Sequence, residues 1–276
     1  MVVEIGPSTL QTTFVLDALS KNVRVDGRGI YDYRTLRIIC GPTTGLCEVH
    51  LGTTKVLARV SCDVVRPVPE RPTEGTVQFS AELSNMAAPN LESISKASAQ
   101  EVVISRMVER VIRQSRAVDT EALCILAGKK VWALRVDLHF LDHSGNMVDA
   151  ATIAAITALR HFRRPDVTVD GEEAIIHDPR ERNPVPLSIH HTPVCVSFGF
   201  LGPQGDMVVL DPALLEEQSQ VAAFTVTMNS HREVCALNKA GGVPLAPSQI
   251  QRCIIVAIEK ATEISDAINE ALKASK

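Results

Sequence analysis

The stretch from Val131 to Pro165, VWALRVDLHFLDHSGNMVDAATIAAITALRHFRRP, changes its hydrophobic period halfway along, and that change restricts the possible folds more than any other feature. Val131, Leu134, Val136, Leu138 and Phe140 fall mostly on alternate positions, with Arg135, Asp137 and His139 between them, which predicts a half-buried strand. From Asp149 the pattern turns helical. Ala150, Ile153, Ala154, Thr157, Ala158 and His161 recur at spacings of three and four, their small side chains suit close packing on a sheet, and Pro165 closes the run. Between the two lies Asp142-His143-Ser144-Gly145-Asn146. A glycine-containing loop that leads into a helix N-terminus presents backbone N–H groups and the positive end of the helix dipole, the elements that receive a phosphate. Most strand-loop-helix units hold no ligand, so this geometry alone does not define a function.

Four further runs narrow the reading: Lys21–Tyr33 (KNVRVDGRGIYDY), Thr73–Pro89 (TEGTVQFSAELSNMAAP), Asp119–Val136 (DTEALCILAGKKVWALRV) and Pro184–Thr192 (PVPLSIHHT). With the opening stretch they resemble the RNase PH family, and within it the ring subunits of the eukaryotic RNA exosome, from about Asp17 to the C-terminus. The resemblance implies an α+β, RNase PH-type fold (ribosomal protein S5 domain 2-like) with two related β-rich halves and packed helices. The family's active members carry Gly-Gly-Thr-Arg before this helix, where a hydroxyl, a guanidinium and backbone donors hold the attacking phosphate. Here the aligned run is Gly145-Asn146-Met147-Val148, preceded by Ser144. Methionine and valine offer neither a bidentate charged donor nor a hydroxyl. Losing such a contact costs about 2–4 kcal/mol of transition-state stabilisation, so Ser144 to Val148 reads as a degenerate phosphate loop in a chain with no catalytic residue of its own.

Composition limits the alternatives. At 276 residues and 45% hydrophobic, the chain can bury a substantial core. Its net charge of −4 argues against nucleic-acid binding by bulk electrostatics, and 4% aromatics with Trp132 as sole tryptophan argue against a base-stacking platform. Any RNA contact is then to the backbone, through a local basic patch. No apolar run nears the roughly 20 residues a bilayer requires, and the N-terminus has no secretory pattern. The seven cysteines, an odd number without a CxxC pair, read as reduced core thiols in a cytosolic or nuclear protein, and as neither a disulfide frame nor a zinc site. His190 and His191, adjacent in a strand, point to opposite faces and are not expected to share a metal.

Along the chain, four segments are expected: an N-terminal helix and arm (1–30), a first half (31–165), a connector (166–187) and a second half with a long C-terminal helix (188–276). The first helix, capped by Ser8 or Thr9, places Leu10, Phe14, Ala18 and Leu19 on one side. Asp26-Gly27-Arg28 reads as a turn closed by a salt bridge, in a region that the resemblance puts near where substrate enters. Strands over 34–39, 45–51 and 55–63 precede a proline-rich loop, Val64–Gly75, carrying Arg66 and Arg71; then come a strand, Thr76–Leu83, and a polar connection, Asn85–Ser98. A helix follows over Ala99–Arg116, with Val103, Met107 and Val111 as its apolar stripe, widened by Val108 and Ile112. Arg106, Arg110 and Arg113 lie at i, i+4 and i+7 along it. Their plain reading is a solvated face with Glu109 paired to Arg113. The resemblance implies instead that Arg106, Arg110 and Arg113, with Arg66 and Arg71 on the loop, contact RNA.

Arg160, Arg163 and Arg164 with His161 read as a basic helix end, and Asp170-Gly171 as the tip of a small hairpin. In the second half, strands are expected over Ser188–Phe200, Met207–Asp211, Phe224–Asn229 and Glu233–Asn238, and a helix capped by Ser248 over Ser248–Lys273. Asp211, Glu216 and Glu217 are the candidates for the late carboxylate that active members use as general acid. The resemblance also implies partners: other RNase PH-like exosome subunits in a six-membered ring, cap proteins with S1 and KH domains, RNA and an associated hydrolytic nuclease. No cofactor or metal is expected, and the resemblance implies residence in nucleus, nucleolus and cytoplasm. Two alternatives stand beside this reading, an active phosphorolytic 3′–5′ exoribonuclease with a non-standard phosphate site and a purely structural scaffold without RNA contact.

Overall fold

A computed structural model describes residues 7–84, 87, 99–170, 173–178 and 180–275. Helix α1 (Thr9–Ser20) is held at its start by a capping box in which Ser8 and Gln11 each bond the other's backbone N–H. An arm leads to strands β1 (Leu36–Cys40), β2 (Leu46–Leu51), β3 (Thr54–Val65) and β4 (Thr76–Leu83), then α2 (Ala99–Glu109), β5 (Cys124–Leu126), β6 (Lys130–Asp142) and α3 (Met147–His161). The short strands β7 (Arg163–Arg164), β8 (Val167–Asp170), β9 (Glu173–Ile176) and β10 (Val185–Pro186) join the halves. Strands β11 (Val194–Leu201) and β12 (Met207–Leu210), helix α4 (Leu214–Ser219), strands β13 (Ala222–Met228) and β14 (Val234–Ala240), and helix α5 (Pro247–Ala274) complete the chain.

Two sheets result. The first runs β1-β2-β3-β6-β4 with β5 on β6, antiparallel except for the β4–β6 pair, and the second runs β12-β11-β13-β14. Helix α3 packs on β2 and β3 of the first sheet and β11 of the second, and α5 bridges the sheets through β1, β11 and β13. This explains the alanines: every residue from Asp149 to Leu159 is buried, and only small side chains let a helix face close neighbours on all sides. Both ends of α3 therefore have fixed positions, the first at the loop after β6 and the second beside β1 and β2.

Several expectations are corrected. On α1 the buried residues are Val15 and Leu19, packed with Leu201 and Val209, while Leu10 and Phe14 are exposed. On α2 the inward stripe is Ile104, Val108, Val111 and Ile112, and Val103 faces solvent. The segment ends in a π-helical turn over Arg110–Gln114, whose extra residue per turn shifts the phase of everything after Glu109. Helix α3 begins at Met147, two positions ahead of the expected start, and stops at His161, so Arg163 and Arg164 are strand residues paired with Pro186 and Val185. Strand β11 starts at Val194, later than expected, and α4 was not foreseen. Helix α5 starts with Pro247 at its first turn and is capped by Gln249, whose Oε1 accepts from the Ala246 N–H at 3.0 Å, and not by Ser248. Most of the Asn85–Ser98 connection lies outside the described residues.

Candidate functional site

The loop between β6 and α3 is built on a backbone that only certain residues tolerate. Gly145 and Asn146 both have positive φ, 94° and 50°. A Cβ on Gly145 would stand 2.6 Å from the Leu214 backbone nitrogen, because the chain between β12 and α4 crosses directly over the loop. The Leu214 N–H donates to the Ser144 carbonyl at 3.1 Å, fastening the two segments together.

Arg34 organises the loop. Its guanidinium grips Asp211 with two bonds, Nε to Oδ2 and Nη2 to Oδ1, each 2.8 Å, and its backbone N–H adds a third at 3.0 Å. Nη1 and Nη2 also donate to the Ser144 and Gly145 carbonyls, both at 3.1 Å. The loop thus turns carbonyls toward a cation that the protein itself supplies. Arg28 reaches the same Asp211 carboxylate at 3.0 Å while bonding Asp26 at 2.6 Å, so the salt bridge expected at the arm's turn is present and extends across the fold.

Asn146 completes the closure. Its side-chain amide donates to Asp211 at 2.7 Å and Asp149 at 2.8 Å. Its backbone N–H, the donor at the start of α3, is taken by the Glu217 carboxylate at 3.0 Å. The position where a helix N-terminus receives an anion is filled by a side chain of α4. Asp149 accepts four bonds, from Asn146, the Tyr33 hydroxyl, and the Ser197 N–H and hydroxyl.

The charges respond accordingly. Burial works against ionising Asp211, but the Arg34 guanidinium and the Asn146 amide outweigh it and hold the carboxyl below its ordinary range. For Asp149, burial prevails over the Asn146 and Ser197 donors and pushes the carboxyl up to about 6. Burial also raises Glu217, against the Asn146 N–H and Arg34, and lowers His143, which Arg34 reinforces. Glu216 is buried and bonded to Arg24 at 3.0 Å. Each of the three carboxylates considered as general acid is therefore engaged in holding the fold.

The degenerate-loop residues are together, but their content differs from what the sequence implied. Met147 faces the core and Val148 packs against it, whereas the anion position itself is polar and filled by ion pairs. The arginines are more dispersed in their roles. Arg66 and Arg106 are exposed with no ion-pair or hydrogen-bond partner among the described residues. Arg110 bonds the neutral Gln114, Arg113 pairs with Glu109 at 2.9 Å, and Arg71 pairs with Glu74 at 3.1 Å. Sequence reasoning missed Arg34, Tyr33, Asp149, Ser197 and Thr54, whose hydroxyl donates to the Gly145 carbonyl at 2.9 Å and accepts from the Ser144 N–H at 3.2 Å. Of these only Asp149 carried a signal, as an acid in the first turn of a helix.

This fold and this loop define the class: the chain belongs to the 3′ exoribonuclease (RNase PH) family, whose domain 1 matches residues 32–165 and whose domain 2 matches residues 191–260. Among curated relatives it is 46% identical over 269 residues to exosome complex component RRP45 of Danio rerio, covering 98% of this chain and 68% of that one. The human protein of that name is 48% identical over 266 residues, covering 96% and 60%, and the Schizosaccharomyces pombe one 44% over 259 residues, covering 94% and 88%. The chain thus spans about three fifths of the length of its mammalian relatives. Among solved structures, a chain of the Archaeoglobus fulgidus exosome with RNA bound to the active site superposes with a TM-score of 0.82 at 29% identity, covering 93% of this chain and 97% of that one. A chain of an archaeal exosome core gives 0.77, also at 29%, with coverage of 94% and 96%.

Proposed function

We propose that this chain is a ring subunit of an RNA exosome that performs no phosphorolysis itself and supports 3′–5′ RNA processing and decay by completing the ring and lining its channel. Membership of the exosome is supported by the relatives named exosome complex component RRP45 and by the likeness to archaeal exosome chains. The observation that carries the lack of activity is the 3.0 Å bond from the Asn146 N–H to Glu217. An incoming phosphate dianion would meet that carboxylate and Asp211 at close range, with Met147 and Val148 in place of the hydroxyl and guanidinium that hold it in active members.

On this reading the partners are RNase PH-like subunits in a six-membered ring, S1/KH cap proteins, RNA and an associated hydrolytic nuclease. The setting is nucleus, nucleolus and cytoplasm, where rRNA and mRNA are processed and degraded. Arg66, Arg106 and Arg110 are the favoured RNA contacts, because none of them has an acidic partner within the described chain. Arg71 and Arg113 are already paired and contribute less.

The test is incubation of the purified chain with RNA in phosphate buffer. No nucleoside diphosphate is expected, and its release would overturn the assignment. The scaffold alternative draws on the Arg113–Glu109 pair, which shows that part of the basic stripe is neutralised within its own helix. RNA crosslinks at Arg106 or Arg110 in the assembled ring support channel lining, and none at either supports the scaffold.

A further inference from the structure

The far end of α3 carries a second constellation, independent of the function proposed above. Helix α3 is 15 residues long, which puts His161 about 22 Å from the loop at its start. There His161 meets Cys40, the last residue of β1, and Cys47, on β2. The two cysteines are register partners. The neighbouring Gly41–Leu46 pair is the hydrogen-bonded one, so Cys40 and Cys47 occupy a non-hydrogen-bonded pair, where side chains approach most closely.

The Sγ atoms of Cys40 and Cys47 are 3.6 Å apart, and Cys47 Sγ lies 3.9 Å from His161 Nδ1. The three ligand atoms all fall within 4.8 Å of one another, and it is the sole such group of three among the described residues. A tetrahedral ion with metal–sulfur bonds of about 2.3 Å and a metal–nitrogen bond of about 2.0 Å sets its sulfurs about 3.8 Å apart and each sulfur about 3.5 Å from the nitrogen. The sulfur–sulfur distance is thus close to a tetrahedral edge before any ion enters, the Cys47–His161 distance is slightly longer than one, and the Cys40–His161 distance is within 4.8 Å.

We propose that Cys40, Cys47 and His161 form a three-coordinate site for one thiophilic divalent cation of the zinc class, with the fourth position open to water or an exogenous ligand. Two soft sulfurs and an imidazole, with no carboxylate, select such an ion over magnesium or calcium. The His161 Nδ1 lone pair has one other claimant, the Gly45 N–H at 3.3 Å. Thiolate is the ligating form of cysteine, so one divalent cation enters as two protons leave, and the cluster is neutral. The carbonyl end of the α3 dipole lies beside the site and favours a cation. Cys40 and His161 are partly exposed, which leaves a path for the ion.

The test uses the reduced full-length chain and cobalt(II) as a spectroscopic probe. One equivalent is expected to give sulfur-to-cobalt charge transfer and intense tetrahedral ligand-field bands, and zinc to displace it and raise the melting temperature. Cys40→Ser is expected to weaken binding by roughly tenfold or more and to reduce the charge-transfer intensity, and His161→Asn to weaken binding without that reduction in sulfur bands. Cys62→Ser, at a thiol outside the cluster, should change neither. Circular dichroism verifies that each variant folds. Cobalt spectra lacking charge transfer, bands that survive unchanged in both Cys40→Ser and His161→Asn, or a cysteine pair that only oxidises to a disulfide without taking up metal when reduced would overturn the proposal.

Discussion

The two ends of α3 use opposite chemistry. At the first, hard charged groups meet and satisfy one another: Arg34 with Asp211 and two loop carbonyls, Asn146 with two carboxylates, Glu217 with the helix N-terminus. At the second, soft groups converge, two thiols 3.6 Å apart and an imidazole nitrogen 3.9 Å from one of them. One end has the backbone geometry of an anion site and has supplied its own anion. The other has the spacing of a cation site and no anion of its own. A loop with the backbone geometry of an anion site can thus serve as a structural clamp, because closing it internally stabilises the join between the two halves.

If the first end is a clamp, breaking it should cost stability, and the largest loss is expected for Arg34→Met. That change leaves Asp211, fully buried, with Arg28, Asn146 and the backbone N–H of position 34, and takes one donor each from the Ser144 and Gly145 carbonyls. Breaking a buried, hydrogen-bonded pair costs about 3–5 kcal/mol, to be read as a lower urea midpoint. A loss below about 1 kcal/mol would mean that the pair is nearer to a surface contact than to a clamp.

A smaller effect is expected for Asp149→Asn. The carboxylate accepts four donors, and an amide turned toward them places N–H against N–H at one or two, a cost of about 2–3 kcal/mol at neutral pH. The pH dependence sharpens the test. The folded carboxyl sits at about 6, above its ordinary 3.8, so the folded chain holds a proton that the unfolded chain has already released between these values. Asp149's contribution to stability is therefore greatest below pH 3.8, falls as pH rises through the window and is constant above about 6, a change on the order of 3 kcal/mol. The gap between wild type and Asp149→Asn should widen as the pH is lowered from 7 toward 5, and carbon NMR of the Asp149 carboxyl should show the midpoint directly.

The smallest effect is expected for Glu217→Ala. It removes one partly buried carboxylate from the Asn146 N–H, at about 1 kcal/mol. Its value lies in the anion response. Sulfate should protect the variant against heat more than it protects the wild type, and an equal response in both would show that Glu217 does not occlude the position.

How far the sequence reveals this depends on the range of each interaction. The strand, loop and central helix of Val131–His161 were legible because a change of period from two to between three and four is a local signal. The reading of Ser144–Val148 as a degenerate phosphate loop rested on the resemblance alone, in which Met147 and Val148 stand where a hydroxyl and a guanidinium are expected. The Arg34–Asp211 pair was not legible, since 177 residues separate its members and no periodicity records which arginine meets which aspartate. The α2 stripe was misplaced because Val102, Val103 and Ile104 are successive apolar residues, compatible with more than one phase, and the π turn at Arg110–Gln114 leaves no compositional trace. The Cys40–Cys47–His161 cluster was invisible for a related reason: its members come from two strands and a helix, without the short spacing that marks a metal motif in one dimension.

The long reach of the clamp also affects biosynthesis. A ribosome releases Arg24 and Arg34 well before the acids that receive them, 192 and 177 positions later, so both guanidiniums wait without their permanent partners while most of the polypeptide is being made. The nascent first half consequently emerges with its loop unlatched until Asp211 and Glu216 have been made to lock it, tying maturation of the whole body to arrival of the second sheet.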